Sequence, residues 1–188
     1  MIRAIATDKD LIVKILSHSF EANPSVNYIV RQDNKRLKRI TALMDYSFER
    51  CFMFGDVWLS DNRKACALTL YPQDKRTTLK AIWLDVKLIF NAIGINRVKT
   101  ALYREGRIKE KQQRQAMTYL WFIGVDPVEQ YKGIGSKLLN EVIAFSDEKG
   151  LPVYLETSVP QNLPWYKRFN FTIYAQLDLT YTLYFLKR

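Results

Sequence analysis

MTYLWFIGVDPVEQYKGIGSKLL, Met117 to Leu139, is the stretch that decides the reading of this chain. Met117–Val125 is almost wholly apolar, as expected of a strand at the centre of a sheet covered on both faces. Pro127 lies in the turn that follows, and Gly133 and Gly135 bracket the last part of a loop. The next helix is predicted over Gly133–Lys149, with Ile134, Leu138, Val142 and Phe145 on one side. Gly150 supplies its stop, and Pro152 prevents continuation. Backbone N–H groups gathered at such a loop and helix start form a site for a pyrophosphate.

Outward from this core the elements alternate. Ile2–Ile5 reads as a short strand. Asp8 opens a helix carrying Leu11, Ile12, Ile15 and Leu16 at helical spacing, and Asn23-Pro24 ends it. A second helix is predicted over Asn34–Arg50, with Leu37, Ile40, Leu43, Met44 and Phe48 as its apolar positions. Phe52–Leu59 and Ala65–Tyr71 read as strands joined through Asp61-Asn62. Pro72–Gln115 is helical: Ile82, Val86, Ile89 and Ile93 form one face, widened by Trp83 and Phe90, before Gly94 and Asn96 interrupt it. After Pro152, Val153–Thr157 is a strand, Asn162–Arg168 a short helix, and Phe171–Tyr174 and Leu177–Leu186 two closing strands. The order β-α-α-β-β, helices, β-α-β-α-β-β indicates a mixed sheet with helices on both faces.

The chain has 188 residues, nearly half of them apolar, which suits one domain with its own core. MIRAIATDKD has no basic-then-apolar leader, and no apolar run reaches the ~20 residues of a membrane helix. A cytoplasmic protein without membrane partners is expected. Cys51 and Cys66 are too few and wrongly spaced for zinc and read as buried thiols. A single histidine, His18, makes a hydrolytic triad improbable, and no metal site is expected. The net charge is +10, and Lys75–Arg114 holds eleven Lys or Arg against three Asp or Glu. That excess is a solvated helical face, a steering field for an anionic ligand, or a nucleic-acid surface. The aromatics fall mostly at core spacing and no RNA-recognition signature is present, so nucleic acid ranks last.

Three loop patterns join a strand to a helix around a phosphate. The dinucleotide pattern fails because Leu138 stands where its third Gly belongs. The P-loop fails because Ser136-Lys137 follows Gly135 in the reverse order. Gln130-Tyr131-Lys132-Gly133-Ile134-Gly135 instead matches Q/R-x-x-G-x-G/A, the acyl-coenzyme A loop of GNAT-type N-acetyltransferases. Downstream come Leu155-Glu156-Thr157-Ser158, Asn162-Leu163-Pro164-Trp165-Tyr166 and Phe169-Asn170-Phe171, similar to the family's strand, N-x-x-x-Y segment and Y-x-x-x-G-F ending. The chain resembles that superfamily closely over about Thr118–Tyr174, and in element order before it. Tyr131 and Asn170 stand where the family often has Gly; the first position needs only an N–H, and Asn is the next-best residue at a left-handed turn.

The resemblance implies a single GNAT-like α/β domain, 1–188, with a largely antiparallel sheet of about seven strands and a helical insertion at about 72–115. It implies transfer of acetyl from acetyl-CoA to a primary amine, of a small molecule or of a protein, by direct attack in a ternary complex. The cofactor site is then Gln130, Tyr131, Lys132, Gly133, Ile134, Gly135 and Ser136, with Ile123 and Val125 on a splayed strand end facing the pantetheine arm. Asn162 contacts that arm or caps a helix. Tyr166, a phenol of pKa ~10, is the general acid for the leaving thiolate. The base is open between Glu156, a carboxylate in an apolar strand, and Asp126. A non-catalytic acyl-CoA-binding module is the alternative, and Ala81–Ile95 is a candidate dimer contact or lid.

Overall fold

Seven strands form one sheet in the order β1-β2-β3-β4-β5-β7-β6. In the computed structural model, which describes residues 1–188, they are β1 (Ile2–Arg3), β2 (Gly55–Leu59), β3 (Ala65–Leu70), β4 (Thr118–Val125), β5 (Val153–Thr157), β6 (Thr172–Asp178) and β7 (Thr182–Lys187). Seven helices join them: α1 (Lys9–Ser19), α2 (Pro24–Ile29), α3 (Arg36–Phe54), α4 (Leu79–Leu88), α5 (Val98–Lys111), α6 (Ile134–Glu148) and α7 (Leu163–Lys167). Every neighbouring pair of strands is antiparallel except β4 and β5. The sheet is therefore mixed, as the element order implied, and largely antiparallel, as the resemblance implied.

Each face carries its own core. On one, α1 and α3 bury Ile12, Leu16, Ile40, Met44 and Phe48 against Val57, Leu59, Cys66 and Leu68. On the other, α6 buries Leu138, Leu139, Val142 and Ile143 against Ala65, Ala67, Leu120 and Leu155. A bulge in β4 opposite Leu68/Thr69 leaves Trp121 without a partner in β3. Leu120 consequently belongs to the α6 core and Phe122 to the α1/α3 core, although residues two apart in a regular strand share a face.

Several boundaries differ from the sequence expectation. The Asn23-Pro24 pair does end α1, but Asn23 then accepts a 3.1 Å bond from the Val26 amide and caps a short helix, α2. The second helix runs four residues past Arg50, because Cys51 and Phe54 continue the buried stripe of Met44, Ser47 and Phe48, leaving only Gly55–Leu59 as strand. The closing hairpin turns at 179–181, where Thr182 Oγ1 donates to Asp178 at 2.9 Å, and the break expected near Tyr174 is a bulge within β6. In α4 and the π-helical turn after it (Ile89–Ile93), Ala81, Leu84, Ala92 and Ile93 are buried while Ile82, Trp83, Val86 and Phe90 stay exposed. No helix is long and apolar enough to cross a membrane.

Candidate functional site

The two central strands part company. β4 and β5 pair at Thr118–Val153, Tyr119–Tyr154 and Leu120–Leu155, and then no further, so Trp121–Val125 leave β5. The closed end of this seam is pinned by Ser146, whose hydroxyl donates to Thr118 Oγ1 at 2.6 Å. At the open end the Ser19 hydroxyl, from the last turn of α1, donates to the Val125 carbonyl at 2.6 Å. Ile123 and Val125, the expected strand-end positions, both lie in the parted stretch.

Beyond Val125 the loop exposes a run of backbone amides. Tyr131 and Gly133 are left-handed (φ 64° and 80°), which turns successive amides inward, and the Tyr131 side chain is fully exposed. None of the seven N–H groups of Gln130–Ser136 finds an acceptor within the protein. A Cβ on Gly135 would sit 3.0 Å from Val125 Cγ2, so a hydrogen there lets the start of α6 lie against the strand end. Ser136 Oγ accepts from Trp165 Nε1 at 2.9 Å and keeps its own proton free to donate. Lys132 pairs with Glu129 at 2.9 Å on the surface, and Gln130 Nε2 reaches the Val125 carbonyl only at 3.4 Å. Seven donors without a protein acceptor at a helix start suit a pyrophosphate, with solvent as the alternative partner.

The seam opens into a cavity of about 660 Å³ whose wall includes Ile123, Asn162, Trp165, Tyr166, Tyr119 and Glu156. Tyr166 lies on α7, its ring packed against Trp165 and Phe171 (centroids 4.7 and 5.7 Å). Its hydroxyl makes no hydrogen bond within the protein, and burial pushes its pKa above the ordinary phenol value. The phenol is thus held protonated and undirected at the cavity. Glu156, on β5, is also pushed up by burial; the bond it accepts from Gln112 Nε2 at 2.8 Å and the field of Arg104 oppose that shift. It has no cation in direct contact.

The remaining expected residues separate. Asn162 is exposed at the cavity edge, and its side chain caps nothing. Asp126 accepts from the Val128 amide at 3.3 Å, an ordinary turn role, and is not part of the cavity wall. Asn170 adopts the left-handed conformation (φ 64°) expected where Gly is usual. Cys51 and Cys66 are buried free thiols, both raised in pKa by that burial. The rest of the cavity wall draws on residues the sequence reading passed over: Arg104 and Ile108 of α5, Gln112 just after it, and Tyr119 of β4. A signal existed, because Ala101, Arg104 and Ile108 recur at helical spacing, which puts a guanidinium on the inward face of an otherwise basic helix.

Comparison with known proteins agrees with this geometry. Residues 101–171 match the Acetyltransferase (GNAT) family. An uncharacterised N-acetyltransferase of Schizosaccharomyces pombe is 37% identical over 70 residues, a stretch covering 37% of this chain and 28% of that protein. The matched stretch therefore spans little more than a quarter of that relative. Among solved structures, a histone acetyltransferase HPA2 and related acetyltransferase from Corynebacterium glutamicum superposes over 98% of this chain and 93% of its own, with a TM-score of 0.70 at 18% identity. The C-terminal condensation domain of Ebony, in complex with beta-alanyl-dopamine, gives a TM-score of 0.70 over 100% of this chain and 96% of its own at 8% identity. Those likenesses concern the fold, whereas the matched segment contains the amide loop, the parted strands and Tyr166. Residues 101–171 are thus similar to the GNAT acetyltransferase family, and the chain as a whole shares its fold with solved acetyltransferases.

Proposed function

We propose that this protein transfers an acetyl group from acetyl-CoA to a primary amine, of a small molecule or of a protein, by direct attack within a ternary complex. The observation that carries the reading is a coincidence at one seam: free amides at its rim, and Tyr166 and Glu156 on one cavity wall within it. When bound, acetyl-CoA supplies a thioester whose C–S bond breaks as the amine nitrogen forms a C–N bond to the acetyl carbon. The amides of Gln130–Ser136 and the Ser136 hydroxyl hold the pyrophosphate, with Lys132 adding positive charge outside. Ile123, Val125 and Asn162 border the path of the pantetheine arm.

Glu156 takes one proton from the acceptor ammonium, and its raised pKa makes it a better base than an ordinary carboxylate. Tyr166 gives its phenolic proton to the departing sulfur and regains one from the nitrogen that becomes an amide, so one proton is released per turnover. Cys51 and Cys66 are buried as raised-pKa thiols, which leaves the nitrogen to attack directly. The test is isothermal titration of acetyl-CoA followed by thiol release over an amine panel. Saturable one-to-one binding in the micromolar range, about −8 kcal/mol, with amine-dependent thiol release supports the reading. Absence of heat at two temperatures overturns it, and binding without release over the panel leaves the non-catalytic acyl-CoA-binding alternative.

A further inference from the structure

Of the other three cations lining the cavity, Arg50 and Lys109 face a carboxylate and Lys75 makes no ion pair. Arg50 Nη1 lies 3.7 Å from Asp85, and Lys109 Nζ 4.0 Å from Glu105. Arg104 is different. It is only 8% exposed, yet its hydrogen-bond partners are neutral hydroxyls: Nε donates to Tyr181 at 2.8 Å and Nη2 to Ser25 at 2.6 Å. Tyr181 in turn donates to Ser25 at 3.3 Å, closing the group without an acid. Nη1 makes no bond within the protein, and Arg104 lines the cavity that also holds Glu156. Glu156 lies within its field but not in contact with it; a buried guanidinium that touches no carboxylate is costly, and its fork of donors matches a carboxylate in particular.

Its placement bears on the acceptor. Ser25 comes from the start of α2 and its amide donates to Ser158 just beyond β5, while Tyr181 lies in the β6–β7 turn. Arg104 thus stands where three elements meet beside the strand that carries Glu156. Much of the remaining wall is apolar, including Leu43, Leu88, Ile89, Ile93 and Val98. We infer that Arg104 binds the carboxylate of the acceptor, which makes the acceptor an amino acid with an apolar side chain and not a simple amine. The carboxylate anchors at Arg104, the amine faces Glu156 and Tyr166, and the side chain takes the apolar wall. This rests on the acetyltransferase reading and makes Arg104 a specificity-determining residue for it.

The test compares L-phenylalanine with phenethylamine, which lacks only the carboxylate. Wild-type kcat/KM should favour phenylalanine by at least about tenfold, and R104Q should bring the two within about threefold while acetyl-CoA titrates as in wild type. R104K should restore part of the preference. Tyr181→Phe, which removes a neutral partner and keeps the charge, should retain it. A purely structural Arg104 would lower both substrates together in R104Q and leave their ratio alone, which overturns the inference. Loss of the preference in Lys75→Met but not in R104Q would place the carboxylate at Lys75, which also lines the cavity, and overturns it equally. A binding arm stands apart from turnover: N-acetyl-L-phenylalanine should quench the Trp121 and Trp165 emission of wild type at concentrations where N-acetylphenethylamine does not. Equal binding of the two would sink the inference even where neither amine is acetylated, whereas failure of acetyl-CoA to bind would sink the acetyltransferase reading alone.

Discussion

Substituting Tyr166 by Phe isolates one oxygen atom. The ring's contacts with Trp165 and Phe171 survive the change, and the lost hydroxyl leaves no protein partner unsatisfied. Stability should therefore move by no more than about 0.5 kcal/mol, against the 3–5 kcal/mol typical of deleting a buried aromatic side chain. A general acid is worth roughly 10²–10⁴-fold, about 2.7–5.4 kcal/mol of barrier at 1.36 kcal/mol per tenfold. The assay is thiol release at saturating acetyl-CoA and acceptor, alongside a thermal melt and a titration of acetyl-CoA. The expected result is a kcat lower by at least about a hundredfold, with the acetyl-CoA dissociation constant and the melting temperature unchanged. A kcat within about threefold of wild type, with folding and binding intact, would remove Tyr166 from the proton path.

Glu156→Gln should lower turnover by about 10²–10⁴-fold and yet stabilise the fold at pH 7–8. Its pKa is raised on folding, so the buried charge costs stability once pH passes through the folded value, and that cost vanishes below the unfolded value of about 4.3. The melting-temperature gain should accordingly shrink to nothing as the pH falls towards 4, and a gain independent of pH would contradict the raised value. Gly135→Val places a branched side chain where a Cβ already meets Val125 at 3.0 Å, and should weaken acetyl-CoA binding by at least about tenfold in titration. Gly55→Ala would put its Cβ 1.9 Å from the Thr69 carbonyl oxygen, a backbone atom that no rotamer can relieve. A loss of about 3 kcal/mol or more is expected in denaturant melts, and a silent substitution there would contradict the β2–β3 register.

The segment from β4 to α7 was legible because its punctuation is local. Gly133, Gly150, Pro152 and Pro164 each act on the backbone beside them, and the structure begins and ends α6, β5 and α7 within one residue of where those signals point. Phe52–Phe54 misled for the opposite reason: three residues suited to a strand continue a helix because Phe54 completes a stripe buried against the sheet. The bulge at Trp121 left no mark in a uniformly apolar run, although it decides which core Phe122 joins. The amide loop was readable from consecutive residues, whereas the cavity wall was not. Arg104 meets Ser25 and Tyr181 across 79 and 77 positions of chain, and only the folded arrangement brings them together.

The parted strands have a consequence for where this protein is weakest. Three residue pairs make up the β4–β5 ladder that joins a four-stranded leaf, β1 to β4, to a three-stranded leaf, β5 to β7. α6 packs across the seam on Ala67 and Leu120 of one leaf and Leu155 of the other, but within the sheet itself the two plates share only a short weld. The amides of Trp121–Val125 should include some that exchange with solvent faster than their neighbours at Thr118–Leu120, in a stretch otherwise at the centre of the molecule. A ligand spanning that gap would act as a tie-bar, adding about 2.7 kcal/mol of resistance to unfolding at a hundredfold excess over its dissociation constant. The fold would then be sturdiest while it is loaded and most yielding between turnovers.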